Sequence, residues 1–153
     1  MYAFVSHAVA DKHFIDTVRG LLRRNGITPL IAEDDVSMSE TVSEKVERYI
    51  RQSQLALVLL TKNGNASRFV QQEIGYLESQ KKPMLVLVEK GLEKDVTGFL
   101  YGRDFVTVDP EDIESGLIKA EEKIAGFVRR WWKGMIVLAV IVIVVILWAF
   151  SRN

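Results

Sequence analysis

The most constraining stretch of this chain is Leu55-Ala56-Leu57-Val58-Leu59-Leu60, six apolar residues in a row. Such a run, bounded by polar turn residues, reads as a strand buried on both faces, and that requires a parallel sheet covered by helices. Residues 61–66 read as a loop whose Lys62-Asn63-Gly64-Asn65 turn ends the strand, and Ser67 is a natural N-cap for the helix that follows. In that helix Val70, Ile74 and Leu77 recur at i, i+4 and i+7 and face the sheet. Phe69 and Glu73 then lie four apart on the adjoining face, near the helix start. This places an aromatic ring and a carboxylate at the carboxyl end of the strand, where open α/β sheets bind ligands.

The rest of the chain repeats the pattern. Residues 2–6 form a short apolar strand, and helical spacing follows at Phe14, Val18, Leu21 and Leu22, with Asn25-Gly26 as the stop. A second strand over 28–32 precedes the acidic loop Glu33-Asp34-Asp35. Ser39 or Thr41 opens a helix with apolar positions Val42, Val46, Tyr49 and Ile50. Lys82-Pro83 ends the central helix, and residues 84–88 give the fourth strand. Residues 91–103 hold one or two irregular helical turns, and 105–108 form a short edge strand. Asp109-Pro110 starts a last helix with Ile113, Leu117, Ala120, Ile124, Phe127 and Val128 on one face. Strands alternating with helices predict an α/β domain over residues 1–130, with a five-stranded parallel sheet and helices on both faces.

Residues 135–150 differ in kind: sixteen positions without one polar group on an aliphatic side chain, interrupted by no turn residue. At about 1.5 Å per residue they reach roughly 24 Å, slightly less than a ~30 Å hydrocarbon core. Trp131, Trp132 and Trp148 suit the two interfacial belts, and Lys133 and Arg152 can snorkel to close the gap. The expectation is a transmembrane helix within residues 131–153, lodged in a lipid bilayer as a single-pass tail anchor. A buried hairpin or core helix is the competing reading, because the run is rich in β-branched residues. Arg129, Arg130 and Lys133 precede the run and Arg152 follows it, so the positive-inside rule places the N-terminal domain in the cytoplasm. Residues 2–5 go directly into a strand, with neither the basic region nor the cleavage site of a secretory signal ahead of them.

Composition excludes several classes. Lys+Arg and Asp+Glu are 20 each, so the chain lacks the basic excess of a nucleic-acid binder. It has no cysteine and two histidines, His7 and His13, which argues against a disulfide framework or a metal site. Neither a Walker loop nor a G-x-G-x-x-G fingerprint occurs. A phosphoryl-accepting receiver domain needs an aspartate at the end of the third strand, and Leu60-Thr61 stands there.

Four motifs come in one order: Ala3-Phe4-Val5-Ser6-His7, Ile31-Ala32-Glu33-Asp34-Asp35, Ile50-Arg51-Gln52-Ser53-Gln54, and Ser67-Arg68-Phe69-Val70-Gln71-Gln72-Glu73-Ile74. That order and spacing resemble the TIR (Toll/interleukin-1 receptor-like) domains, the prokaryotic ones above all, over roughly the first two-thirds of the chain. The resemblance implies a flavodoxin-like arrangement. It also implies an activity, because many prokaryotic members cleave NAD or cyclise its ADP-ribose part with one glutamate on the third helix. By position that residue is Glu73. NAD is then the substrate, with no separate cofactor. Such domains act when assembled, so a homo-oligomer, and contact with other TIR proteins, are expected. Two departures stand out: Phe69 replaces the tryptophan frequent four residues before the glutamate, and Val36-Ser37-Met38-Ser39-Glu40 lacks the usual proline or glycine.

The chemistry fits a single carboxylate. Nicotinamide leaves the pyridinium cation as a neutral molecule, so no proton donor is needed, unlike in ordinary glycosidases. Glu73 can grip the ribose and sit near the oxocarbenium charge, and Phe69 can stack on the nicotinamide. Water as acceptor gives ADP-ribose, and the adenine end folding back gives a cyclic product; the residues leave both open. For Glu73 the competing reading is a solvated helix-surface carboxylate. Ser6 and His7 end the first strand, where they can meet phosphate or ribose; His7 is equally a loop histidine bound to water. Asp34 and Asp35 can touch a ribose hydroxyl or simply form a solvated turn. The functions in contention are an NAD-cleaving enzyme in defence or stress signalling, a non-catalytic TIR module recruiting other TIR domains to a membrane, and an enzyme like the nucleoside deoxyribosyltransferases.

Overall fold

The alternation of side chains along the central strand decides which helix packs where. The computed structural model describes residues 1–34, 40–96 and 98–151, with positions 13, 99 and 147–151 described by their backbone alone. Strand β3 (Leu55–Leu60) is buried at all six residues. Its odd positions Leu55, Leu57 and Leu59 join a core with Val18, Leu21, Leu22, Leu117 and Ile124. Its even positions Ala56, Val58 and Leu60 join a second core with Ile50, Val70, Ile74 and Leu77. The period of two in a strand thus sends alternate residues into separate helical layers.

Around β3 lie β1 (Tyr2–Ser6), β2 (Thr28–Leu30), β4 (Met84–Glu89) and β5 (Phe105–Val108). They form one sheet in the order β2-β1-β3-β4-β5, and every pair is parallel. Helices α1 (Lys12–Arg24) and α5 (Ile113–Ser151) cover one face, and α2 (Val42–Gln52) and α4 (Arg68–Ser79) cover the other. The expected five-stranded parallel sheet is therefore present. Gly26, in left-handed backbone at φ 69°, turns the chain from α1 into the sheet, as the sequence suggests.

Several boundaries differ from the sequence reading. Strand β2 stops at Leu30 rather than at residue 32, because Pro29 offers no N–H and an edge strand containing it stays short. Val42, expected on the buried face of α2, is exposed. The 61–66 loop is a short helix, α3 (Lys62–Ala66), capped by the Thr61 hydroxyl, which accepts the Gly64 N–H at 2.9 Å. That same hydroxyl donates to Asp11 at 2.6 Å, and Asn63 donates to the other Asp11 oxygen at 2.9 Å. A carboxylate only 1% exposed thereby gains two donors and ties α3 to the turn after β1. Gly64 is required here, since a Cβ would lie 2.5 Å from the Leu59 carbonyl oxygen. Residues 91–103 hold two 3₁₀ turns, Glu93–Asp95 and Gly98–Leu100.

The last helix begins at Ile113, three residues after Pro110, because Asp109 is engaged by Lys90 and by the Glu111 N–H. The tail is not the separate helix that the sequence reading expects: α5 runs without a break from Ile113 to Ser151. Among the described residues no helix is long and apolar enough to cross a membrane. The apolar side chains described from Met135 to Ile146 reach about 18 Å at 1.5 Å per residue, well below a hydrocarbon core of ~30 Å. Trp148 and Arg152, to which the sequence reading gives membrane roles, fall outside the described side chains.

Candidate active site

Strand β1 delivers the first component. Phe4 belongs to the core beneath α2 and α4, so Ser6, two residues on, points to the same side. Its register partner is Val58 of β3, which sets Ser6 at the carboxyl edge of the sheet centre. There the Ser6 hydroxyl donates to Glu73 Oε2 at 2.5 Å. Helix α4 brings Glu73 to this point because Ser67 caps its start, accepting the Val70 N–H, and Val70, Ile74 and Leu77 lock its buried face. The rotation is fixed by that packing, so Glu73 leans into the seam between α4 and β1 instead of into solvent.

Burial is the dominant influence on this carboxyl. Removal from water raises its pKa from 4.5 to about 7; the Ser6 hydrogen bond works against the rise, and the nearby Glu33 charge adds to it. At neutral pH Glu73 is thus poised between its two protonation states. A cavity of about 200 Å³ opens beside it between α2 and α4, lined among others by Val42, Val46, Glu47, Phe69 and Tyr76. Phe69 is 73% exposed, a flat ring free at the cavity mouth. The opposite wall, α2, is fixed at its start by a capping box in which Thr41 and Glu44 satisfy each other's backbone N–H groups.

His7 and Asp34, also singled out from sequence, lie in a separate concavity of about 280 Å³, lined by His7, Lys12, Asp16, Arg19, Glu33 and Asp34 with Ile15 and Ile31. His7 Nε2 is 3.0 Å from Glu33 Oε2, and its side chain is only 4% exposed. Arg19 holds both oxygens of Asp34, at 2.8 and 3.1 Å. Asp34 therefore presents no free carboxylate oxygen pair to a ribose, whereas Glu33 joins His7 and acts on Glu73 through its charge. Asp35 lies outside the described residues. The fold brings Ser6, Phe69 and Glu73 together and sets His7 beside them on the far side of the β1 end. Sequence reasoning missed Glu33, Arg19, Glu47 and Tyr76 as neighbours of the site. The Glu47 and Tyr76 positions follow from helical spacing, but only once α2 and α4 are known to pack side by side. Among the described residues no group of three or more His, Asp or Glu converges as a metal site.

The fold recurs in other chains. Among solved structures, the TIR domain of the Toll-related receptor TRR-2 from Hydra magnipapillata superposes with a TM-score of 0.61 at 16% identity, covering 78% of this chain and 97% of that one. A CMP N-glycosidase from Clostridium botulinum, BcmB, gives 0.59 at 14% identity, over 79% of this chain and 98% of that one. The TIR domains of the activated Roq1 resistosome give 0.53 at 14% identity, over 84% and 83%. At such identities the likeness establishes the fold. No curated protein matches the sequence. The family model described as TIR domain matches residues 3–119, most of the chain and every element of the sheet and its covering helices up to the early turns of α5. The chain belongs to the TIR domain family.

Proposed function

We propose that this protein cleaves the N-glycosidic bond between nicotinamide and ribose in NAD, releasing nicotinamide with ADP-ribose or a cyclic ADP-ribose product, in defence or stress signalling. The observation that carries the proposal is the Glu73 carboxyl: half-buried, held by Ser6, raised to about 7, and facing a cavity with an exposed aromatic ring at its mouth. In this role Glu73 holds the ribose hydroxyls and stabilises positive charge at the anomeric carbon as the C–N bond breaks. Phe69 stacks on the nicotinamide ring, which leaves as a neutral molecule, so the pocket needs no acid for the leaving group. The likeness to a CMP N-glycosidase supports N-ribosyl chemistry on this fold, with a different leaving group.

Purified protein incubated with NAD tests this. Nicotinamide released by the parent and not by Glu73→Ala supports it. Silence from both, even when clustered on liposomes, leaves a recruiting module; turnover of deoxynucleosides instead points to a deoxyribosyltransferase-like enzyme. We further propose that the tail is inserted in a bilayer with the domain on the cytoplasmic side, and that copies assemble, as the resistosome relative does. Residues 135–146 support the membrane part, since every one is apolar and exposed and a helix apolar all round is stable only in a core or in lipid.

A further inference from the structure

The zero net charge of this chain conceals a division. In a parallel sheet every covering helix runs antiparallel to the strands, so all helices end at the amino edge, opposite Ser6 and Glu73. There Arg23, Lys81, Arg129, Arg130 and Lys133 are exposed and carry no ion pair among the described residues. Three acids at that edge are paired, Glu78 with Arg103, Asp104 with Lys123 at 3.3 Å, and Glu121 with Arg24 at 3.6 Å, while the exposed Glu122 belongs to none of these pairs. The carboxyl edge carries Glu33, Asp34, Glu89, Asp109 and Glu111, and its lysines Lys62 and Lys90 are taken up by Glu89 and Asp109, as Arg19 is by Asp34.

Arg23 and Lys81 follow the common preference for cations at helix ends. Arg129, Arg130 and Lys133 do not, because α5 continues beyond them to Ser151 and no helix terminus calls for them. Arg130 lines a concavity of about 430 Å³ with Leu55, Pro83 and Met84 at the strand starts, so this triplet sits where α5 passes the amino edge. Trp131 and Trp132, edge to face at 5.3 Å, lie between Arg130 and Lys133, and the exposed apolar residues begin at Met135. Cations and aromatics together, followed by an apolar helix, are what a chain presents on crossing from water into an anionic leaflet.

We infer that the amino edge of the sheet is a docking face for an anionic lipid surface, which holds the candidate active site outward, about 20 Å or one strand length from the headgroups. The inference rests on the membrane reading above and adds orientation to it. The chain has no cysteine, so single labels are clean. Full-length protein carrying a donor dye at Gln80→Cys (amino edge) or Val9→Cys (carboxyl edge) is reconstituted in phosphatidylcholine vesicles with or without phosphatidylserine, with acceptor lipid. Phosphatidylserine should raise transfer from position 80 only. About 0.5 M salt should abolish the rise. Each of Arg23→Glu and Lys81→Glu should lower the docked-to-undocked ratio at least fivefold. Equal transfer from position 80 in both vesicles overturns the docking face and leaves the anchor standing. Protein that fails to float with either vesicle, or that buries its tail against a second copy, overturns the anchor and the docking face together.

Discussion

Replacing Glu73 by glutamine isolates what burial does to its carboxyl. The glutamine is isosteric with the protonated acid and still accepts the Ser6 hydrogen bond through Oε1, so packing is kept while titration is removed. Because the folded-state pKa is raised from 4.5 to about 7, the folded protein binds this proton more tightly than the unfolded chain does. The associated stability is fully present below about pH 4.5, declines as pH rises through the interval up to 7, and is gone above it. A shift of that size corresponds to about 3 kcal/mol at pH 8. Glu73→Gln should therefore melt with the parent near pH 4.5 and about 6–12 °C above it at pH 8, by the scaling for a chain of this length. Thermal melts followed by near-UV circular dichroism in mild detergent measure this. The difference curve reports position 73 together with the Glu33 charge coupled to it. A melting difference that stays constant between pH 5 and 8 would refute the claim that desolvation controls this carboxyl.

Three further changes probe the surroundings. Phe69→Ala should lower kcat/KM for NAD about tenfold through lost stacking, while the melting temperature hardly moves, because the ring is 73% exposed. Ser6→Ala removes the one contact that opposes the rise in the Glu73 pKa, so the acidic limb of the kcat/KM profile should move to higher pH; an unmoved limb would separate Ser6 from the titration. Thr61→Val strips one donor from buried Asp11 and the acceptor from the Gly64 N–H; denaturant unfolding should show a loss of about 3 kcal/mol with no change in the pH profile of activity.

What was legible in the sequence follows the range of the forces involved. The strand at residues 55–60 is specified by its own apolarity, and α4 by a cap and a repeat within twelve residues, so both could be read locally. Helix α3 could not: two asparagines and a glycine in five residues have no helical preference. It forms because Thr61 and Asn63 reach Asp11, some fifty positions earlier in the chain. The candidate site divides along the same line. Helical spacing places Phe69 and Glu73 together, but the burial of Glu73 depends on Ser6, 67 residues away, and its charge environment on Glu33. Asp34 shows the opposite failure, an acid that looked available and is held by Arg19.

A carboxyl raised to about 7 by burial gains most from a ligand that brings a positive charge, and this separates the oxidised from the reduced dinucleotide. The nicotinamide ring of NAD is a cation; that of NADH is neutral, with the same ribose and phosphates. Only the cation repays the cost of keeping Glu73 ionised in its half-buried seam. Ionisation should therefore be coupled to binding of NAD and hardly at all to binding of NADH. Between pH 6 and 8 the ionised fraction of a group titrating near 7 rises about tenfold, so the affinity for NAD should rise by up to that factor. Calorimetry of the parent protein with a non-cleavable carbocyclic analogue of NAD, which keeps the nicotinamide cation, and with NADH, at both pH values, reads the coupling directly, and the protons released on binding give a second measure of it. Affinities for NAD and NADH that change in parallel with pH would mean that Glu73 does not face the nicotinamide end. The cavity between α2 and α4 would then hold some other part of the ligand.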